Sequence, residues 1–276
     1  MTELTSIFIF QKNELENQND EYSNITKEFT CKVGLNINTD FNKVGDINEY
    51  QIKPIIRLED DSYFIPMPYF LAESFYNTPY YWMIEDKSYK NISLTNRGIV
   101  AEDIGYNILS KKFGDKNIFK RVKIQRNKTH TQSDIDILLL VDNTAIVFQV
   151  KTKRITNLSR EGNLDKIHND FALAIESAYL QGVEAEKCIK DYTNYTFIDE
   201  SRTSINGHFE KVRMVLVVCL VLDGFPSLSF ATHQLLYEKC NKPVLCIDIF
   251  DLQVLVETIP TATMFRNYLL FRAGQF

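Results

Sequence analysis

The chain is poor in cysteine. It has five in 276 residues, an odd number with no C-x-x-C pair. Cys240 and Cys246 are too far apart, and too poorly accompanied by histidine, to form a zinc clip. Reduced structural thiols in a cytoplasmic protein are the expectation. Long apolar runs are also missing. The longest, MVLVVCLVL at 214–222, has nine residues, about half of the ~20 that a membrane helix needs. No membrane partner is expected. The stretch MTELTSIFIFQK has no basic leader, and its apolar run covers only Ile7 to Phe10, so no signal peptide is expected. Internal repeats are absent. What remains is 45% hydrophobic and 24% charged, an ordinary globular composition with length for one large domain or two modest ones.

The net charge of −5 is unevenly spread. Residues 1–110 carry −8, residues 111–166 carry +7 and residues 167–276 carry −4. A local positive field is the footprint of a polyanion binder. Lys123, Arg126, Lys128, Lys153 and Arg154 are the nucleic-acid-binding candidates within it.

Residues 1–92 form an expected N-terminal region of mixed strands, either a small domain or an elaboration of the main one, and offer no defined chemistry. Within it, residues 52–76 predict a strand, a turn at Glu59-Asp60-Asp61, a short strand and a helix after Pro68. Trp82 and the Tyr80-Tyr81 pair could stack on bases, but packing is the default. From 93 onward the pattern changes. SLTNRGIVAEDIGYNILSKKFGD (93–115) predicts a helix capped by Thr95 or Asn96 and ended by Gly114. On a helical wheel Tyr106, Leu109 and Phe113 form an apolar stripe that contains Glu102, while Asp103 falls on a polar side. A carboxylate in such a stripe calls for a charged partner or a metal. A strand over 117–126, a hairpin over 133–153, a helix over 163–182 stopped by Gly182, strands over 211–224 and 242–250 and helices over 251–259 and 261–272 follow. This order gives an α/β (α+β) fold, a mixed central β-sheet flanked by helices. His130 and His168 are assigned to solvent or packing.

The hairpin SDIDILLLVDNTAIVFQVKTK (133–153) carries the chemistry. It opens on carboxylates and closes on Gln149, Val150 and Lys151. A two-residue turn at Asp142-Asn143 sets Asp136 opposite Gln149. A four-residue turn sets it opposite Lys151. Either way Asp136, Gln149 and Lys151 share a face, with opposed Cβ atoms ~5 Å apart. Such a trio suits phosphodiester hydrolysis. Asp136, the Gln149 side-chain oxygen and the Val150 backbone carbonyl are hard ligands for Mg²⁺. Lys151 can orient a water or neutralise the pentavalent phosphorane. Glu102 can bind through a metal water or support a second ion, and Asp134 is a lesser candidate.

Together these segments resemble the PD-(D/E)XK nuclease superfamily, the restriction-endonuclease-like fold, nearest its Mrr-like and NERD-type branches. The resemblance runs from about Arg97 to Gln181. RGIVAEDIGYNIL resembles the first helix, with Gly98 and the acidic Glu102. SDIDILLLV resembles the strand that bears the metal-binding Asp, here Asp136. VFQVK resembles the E-x-K or Q-x-K strand, here Gln149 and Lys151. SAYLQG resembles a late helix whose Gln, here Gln181, approaches the site. The resemblance implies that 93–276 is a nuclease domain dependent on Mg²⁺ or Mn²⁺, with DNA favoured over RNA. It also implies a setting in restriction, phage defence or repair, as a homodimer or in a larger complex. Gln149 stands where most of the superfamily has Glu, and the lost charge weakens metal binding. Mrr-like members commonly carry Gln there.

Two other readings compete. A catalytically inactive nuclease fold would bind nucleic acid or a protein without turnover. A D-x-D nucleotidyltransferase would use Asp134 and Asp136 on one face of a strand. It also needs a Gly-Ser turn upstream, and RVKIQRNKTHTQ contains no glycine.

Overall fold

The computed structural model of the chain describes residues 7–16, 20–34, 38–43, 46, 48–127, 130–223 and 244–274. The chain divides into two compact units, Met1–Leu94 and Thr95–Phe276.

The first unit holds a four-stranded sheet in the order β1-β4-β3-β2, from β1 (Ile9–Phe10), β2 (Thr30–Lys32), β3 (Ile55–Arg57) and β4 (Tyr63–Phe64). Its helices are α1 (Lys12–Glu16), α2 (Asp20–Glu28), α3 (Glu49–Ile52) and α4 (Pro68–Glu85). The expected strand, turn, strand and helix over 52–76 are all present. Asp61, at φ +65, closes the turn, and Pro68 takes the first helical position, where no amide is needed. Phe29, Ile55, Tyr63 and Ile65 make the core. Trp82 packs on Phe29, with ring centroids 5.5 Å apart.

The helix expected over 93–115 is α5 (Lys90–Phe113). Thr95 and Asn96 lie inside it and do not cap it. The chain turns earlier because Asp86 Oδ1 accepts from the amides of Ser88 and Tyr89. Gly114 ends the helix at φ +73, its amide bonded to Ser110 O.

The second unit is built on a six-stranded mixed sheet, in the order β10-β9-β7-β6-β5-β8. Its strands are β5 (Ile118–Asn127), β6 (His130–Val141), β7 (Thr144–Lys151), β8 (Thr196–Ile198), β9 (Met214–Val221) and β10 (Leu245–Asp248). β7, β9 and β10 are parallel to one another, and β7-β6-β5-β8 is antiparallel. Every residue of β7 but Lys151 is buried, which is why its sequence reads as an unbroken apolar run. Between β7 and β9 run α6 (Asn157–Arg160), α7 (Leu164–Phe171), a π-helical segment (Ala172–Glu176) and α8 (Ser177–Lys190). Parallel neighbours need such a crossover. α9 (Ile249–Thr258) and α10 (Ala262–Arg272) follow β10. The strand expected over 242–250 ends at Asp248, whose side chain accepts from Asp251 N at 2.8 Å and starts α9.

Helices cover both faces, as expected. α5, α9 and α10 pack on one through Leu109, Phe113, Leu252 and Phe265. α8 packs on the other through Ala185, Cys188 and Ile189. Gly182 does not stop the helix. It sits within α8 facing β9, where an added Cβ would lie 2.2 Å from Val217 Cγ1. Gly105 plays the same part in α5, where an added Cβ would meet Ile137 Cδ1 at 2.9 Å. That close approach places Glu102 beside the part of β6 that carries Asp136. Cys31, Cys188 and Cys246 are free thiols, Cys219 Sγ donates to the Ile175 carbonyl at 3.6 Å, and Cys240 lies outside the described residues. No helix among the described residues is long and apolar enough to cross a membrane.

Candidate active site

The site is made by an interruption shared by two strands. Lys120 faces Ile137 and Val122 faces Ile135 across β5 and β6. The step between them holds Arg121 and Asp136. On one side of that step Ile118, Ile137 and Leu139 pack toward α5, α9 and α10. On the other, Val122, Ile124 and Ile135 pack toward α8. Regular alternation would keep Ile135 and Ile137 on one face. Arg121 absorbs the reversal at φ +51, in a region that costs a non-glycine residue about 1–3 kcal/mol.

At the same point β6 parts from β7. The turn is the two-residue one, with Val141 paired to Thr144 and Asp142 at φ +53. The ladder then runs to Ile137–Phe148. The next step would set Asp136 against Gln149. Instead the Asp136 carboxylate enters the gap, and Oδ2 accepts from Val150 N at 2.6 Å. Gln149 is almost fully buried and donates from Nε2 to the Asp134 carbonyl at 2.8 Å. That acceptor fixes the amide nitrogen toward Asp134 and turns Oε1 the other way. Lys151 O accepts from Leu222 N, so the backbone groups of Lys151 face β9. Those of Val150, one residue away, face β6. The Val150 carbonyl therefore opens on the gap that Asp136 fills.

The expected single face thus holds in part. Gln149 and Lys151, two residues apart on β7, keep one face. Asp136 turns between the strands because the alternation of β6 breaks under it. Lys151 Nζ donates to Gln181 Oε1 of α8 at 2.6 Å, which brings these two expected residues together.

Asp136 is pushed up to about 7. Burial is the largest cause. The Val150 amide and Lys151 oppose it, while the charges of Glu102 and Asp134 add to it. Glu102 and Lys151 therefore both act on this carboxylate. Glu102 itself has a charged partner: Arg121 Nε lies 2.6 Å from Oε2. Arg121 also reaches Asp103 at 3.0 Å and Glu200 at 2.5 Å. Lys120 lies 2.8 Å from Asp103 and 3.1 Å from Glu200. Asp103, expected on a polar side, belongs to this network.

The basic candidates separate. Lys123 and Arg126 are exposed on β5. Lys128 lies outside the described residues. Lys153 pairs at 3.0 Å with Asp170, which is 1% exposed. Arg154 lies against Asp223 at 3.5 Å, its side chain only 11% exposed. Arg97 bonds the same Asp223 and the Thr152 carbonyl. Lys153 and Arg154 are thus used within the fold, and Lys123 and Arg126 remain as the exposed pair. Asp170 also accepts from Thr156 N at 2.7 Å, Thr156 Oγ1 at 2.8 Å and Ser159 Oγ at 2.6 Å. Burial raises its pKa, but the bonds from Ser159 and Thr156 and the Lys153 ammonium prevail and hold it at about 2.

Among the described residues, no group of three or more His, Cys, Asp or Glu side chains is close enough to hold a metal ion. The candidate donors are of another kind: the Asp136 carboxylate and the Val150 carbonyl at the gap, and the side-chain amide oxygen of Gln149. They fit a hard cation that keeps several waters. The partly buried Asp136 carboxylate, pushed up to about 7 by burial and the charges of Glu102 and Asp134, is the observation that bears on a cation there.

Three contributors lie beyond the expected set. Gly105 had a signal, since a glycine inside a helical pattern costs about 1 kcal/mol and calls for a packing reason. Arg121 showed only as one charge in a basic block. Asp170 showed as an ordinary helix residue. The chain matches no family model, no curated protein and no solved structure.

Proposed function

We propose that the chain is a metal-dependent nuclease that hydrolyses phosphodiester bonds, with DNA as the preferred substrate. The carrying observation is the Asp136 carboxylate in the gap between β6 and β7, bonded to Val150 N. Lys151 stands one residue on, held by Gln181. On this reading Asp136, Gln149 Oε1 and the Val150 carbonyl hold Mg²⁺ or Mn²⁺. The bound ion would polarise the phosphoryl oxygens and acidify a water. Lys151 stabilises the charge that grows on the phosphorane, and Gln181 keeps its ammonium aimed. Lys123 and Arg126 bind phosphates along the substrate. The likeness to Mrr-like and NERD-type nucleases supports this reading, and with it a cytoplasmic role in restriction or repair, as a homodimer or in a larger complex.

Cleavage of plasmid, linear and single-stranded DNA, with RNA in parallel, tests it in Mg²⁺, Mn²⁺ and EDTA. Metal-dependent cutting lost in Lys151→Ala is the expected result. Cutting that survives that change, or none by the wild type, would overturn it.

A second reading is an inactive nuclease-fold module. Two observations favour it: Glu102 is engaged by Arg121, and Gln149 adds no charge to the gap. Such a module binds DNA with no change on adding Mg²⁺. The D-x-D transferase is the weaker alternative, because it needs a Gly-Ser turn upstream and RVKIQRNKTHTQ contains no glycine.

A further inference from the structure

Arg121 is the residue around which the site is bent, and the proposed chemistry gives it no task. It lies within β5, where φ +51 is out of place. The other non-glycine residues with positive φ among those described, Asn38, Asp61, Asp142 and Arg202, lie in turns. It occupies the step opposite Asp136, where both strands reverse their facing. Because of that reversal, Lys120 and Arg121, consecutive in sequence, both reach α5. The Arg121 guanidinium uses four of its five N–H donors: Nε bonds Glu102, Nη1 bonds Glu200, and Nη2 bonds Asp103 and the Ile99 carbonyl at 3.2 Å. Glu102 stands one turn before Gly105, which packs against Ile137 next to Asp136, and its partner there is Arg121.

Two features make this more than a surface ion pair. A left-handed arginine within a strand is retained only where the surroundings over-determine it. The carboxylate it engages also stands on the helix that packs against Ile137, the residue after Asp136. A cation entering beside Asp136 would compete with the guanidinium for Glu102.

We propose that Arg121 is a positioning residue that latches Glu102, so that a divalent cation at the Asp136 gap must draw Glu102 from the Arg121 guanidinium to bind with full affinity. This rests on the metal reading of the site. The backbone of Arg121 opens the gap, and its side chain sets how strongly the gap binds. Glycine at this position tolerates the same φ, so Arg121→Gly removes the latch and keeps the kink.

Mn²⁺ binding by calorimetry or by electron spin resonance of the free ion tests the latch on the full chain, with circular dichroism and thermal unfolding as checks on folding. Wild type, Arg121→Gly, Glu102→Gln and the double variant form a cycle. Arg121→Gly is expected to bind Mn²⁺ on the order of tenfold more tightly, the scale on which outer partners tune a metal site. Glu102→Gln should cost more affinity in the Arg121→Gly background than in the wild type. Unchanged or weaker binding by a folded Arg121→Gly, or a cycle with no coupling, would overturn the latch while leaving the metal site standing. If Arg121→Gly does not fold, Arg121→Lys is read instead. It keeps a cation but loses the fork that bonds three carboxylates, and the same rise, smaller, is expected; its absence overturns the latch. If neither wild type nor variant binds Mn²⁺ in a way that Asp136→Asn abolishes, the metal reading falls and the latch with it.

Discussion

The Asp136 carboxylate accepts a hydrogen bond from Val150 N at 2.6 Å, doing with a side chain what the backbone of β6 would have done had that strand run on beside β7. The bond keeps the sheet satisfied where it splits. It also buries a carboxylate next to the charges of Glu102 and Asp134.

Asp136 has a folded pKa of about 7, against about 4 in an unfolded chain. Between those values the folded state holds the proton more tightly. Without metal, stability therefore falls as pH rises from about 4 to about 7, then levels off. Asp136→Asn keeps an acceptor for Val150 N and cannot ionise. In EDTA it should be more stable than wild type at pH 8 by roughly 2–4 kcal/mol, and equal to it near pH 4. Urea unfolding across that range measures this. Parallel curves for the two chains would remove the raised pKa.

Asp170 behaves in the opposite sense. Its folded pKa of about 2 lies below the unfolded value of about 4. Its stabilisation is fully present above about pH 4 and is lost as pH falls toward 2. Asp170→Asn loses the Lys153 pair and weakens the bonds that tie the segment after β7 to α7. A loss of roughly 2–3 kcal/mol at pH 7 is expected, shrinking as acid is approached. An equal loss at pH 7 and pH 3 would contradict this account.

Gly182 tests the packing of α8. Alanine in a helix interior normally gains about 1 kcal/mol over glycine. Here its Cβ would lie 2.2 Å from Val217 Cγ1, so Gly182→Ala should cost roughly 1–3 kcal/mol by overpacking. Val217→Ala in the same chain removes that methyl and should recover much of the loss. Thermal unfolding of the single and double variants decides it.

The basic residues divide by partner. Lys123→Ala with Arg126→Ala should weaken DNA binding and flatten its dependence on salt by about two phosphate contacts, with little change in melting temperature. Arg154→Ala should first lower stability, because it strips a partner from the partly buried Asp223. Fluorescence anisotropy at several salt concentrations separates the two. A salt slope untouched by the Lys123 and Arg126 changes would clear that surface of a DNA role.

Much of this protein is local, and the sequence by itself determined that much. The apolar run of β7, a turn at Asp142-Asn143 and the stop at Gly114 each follow from neighbours in the chain. So does the placing of Gln149 and Lys151 on alternate strand positions. The mixed sheet with helices on both faces follows from the order of those elements. Only the tertiary structure decided where Asp136 points. Its direction depends on a kink that β5 and β6 share, and periodicity along one strand carries no trace of its partner's φ. The same holds for Gly182, which reads as a helix stop until β9 is laid against it. It holds again for Arg121, Lys153 and Arg154. Charge is visible in a sequence, but whether a cation faces solvent or a partly buried carboxylate is set by residues as far away as Asp223. Burial and pairing at a distance divided the binding candidates, leaving Lys123 and Arg126 exposed and tying Lys153 and Arg154 into the fold.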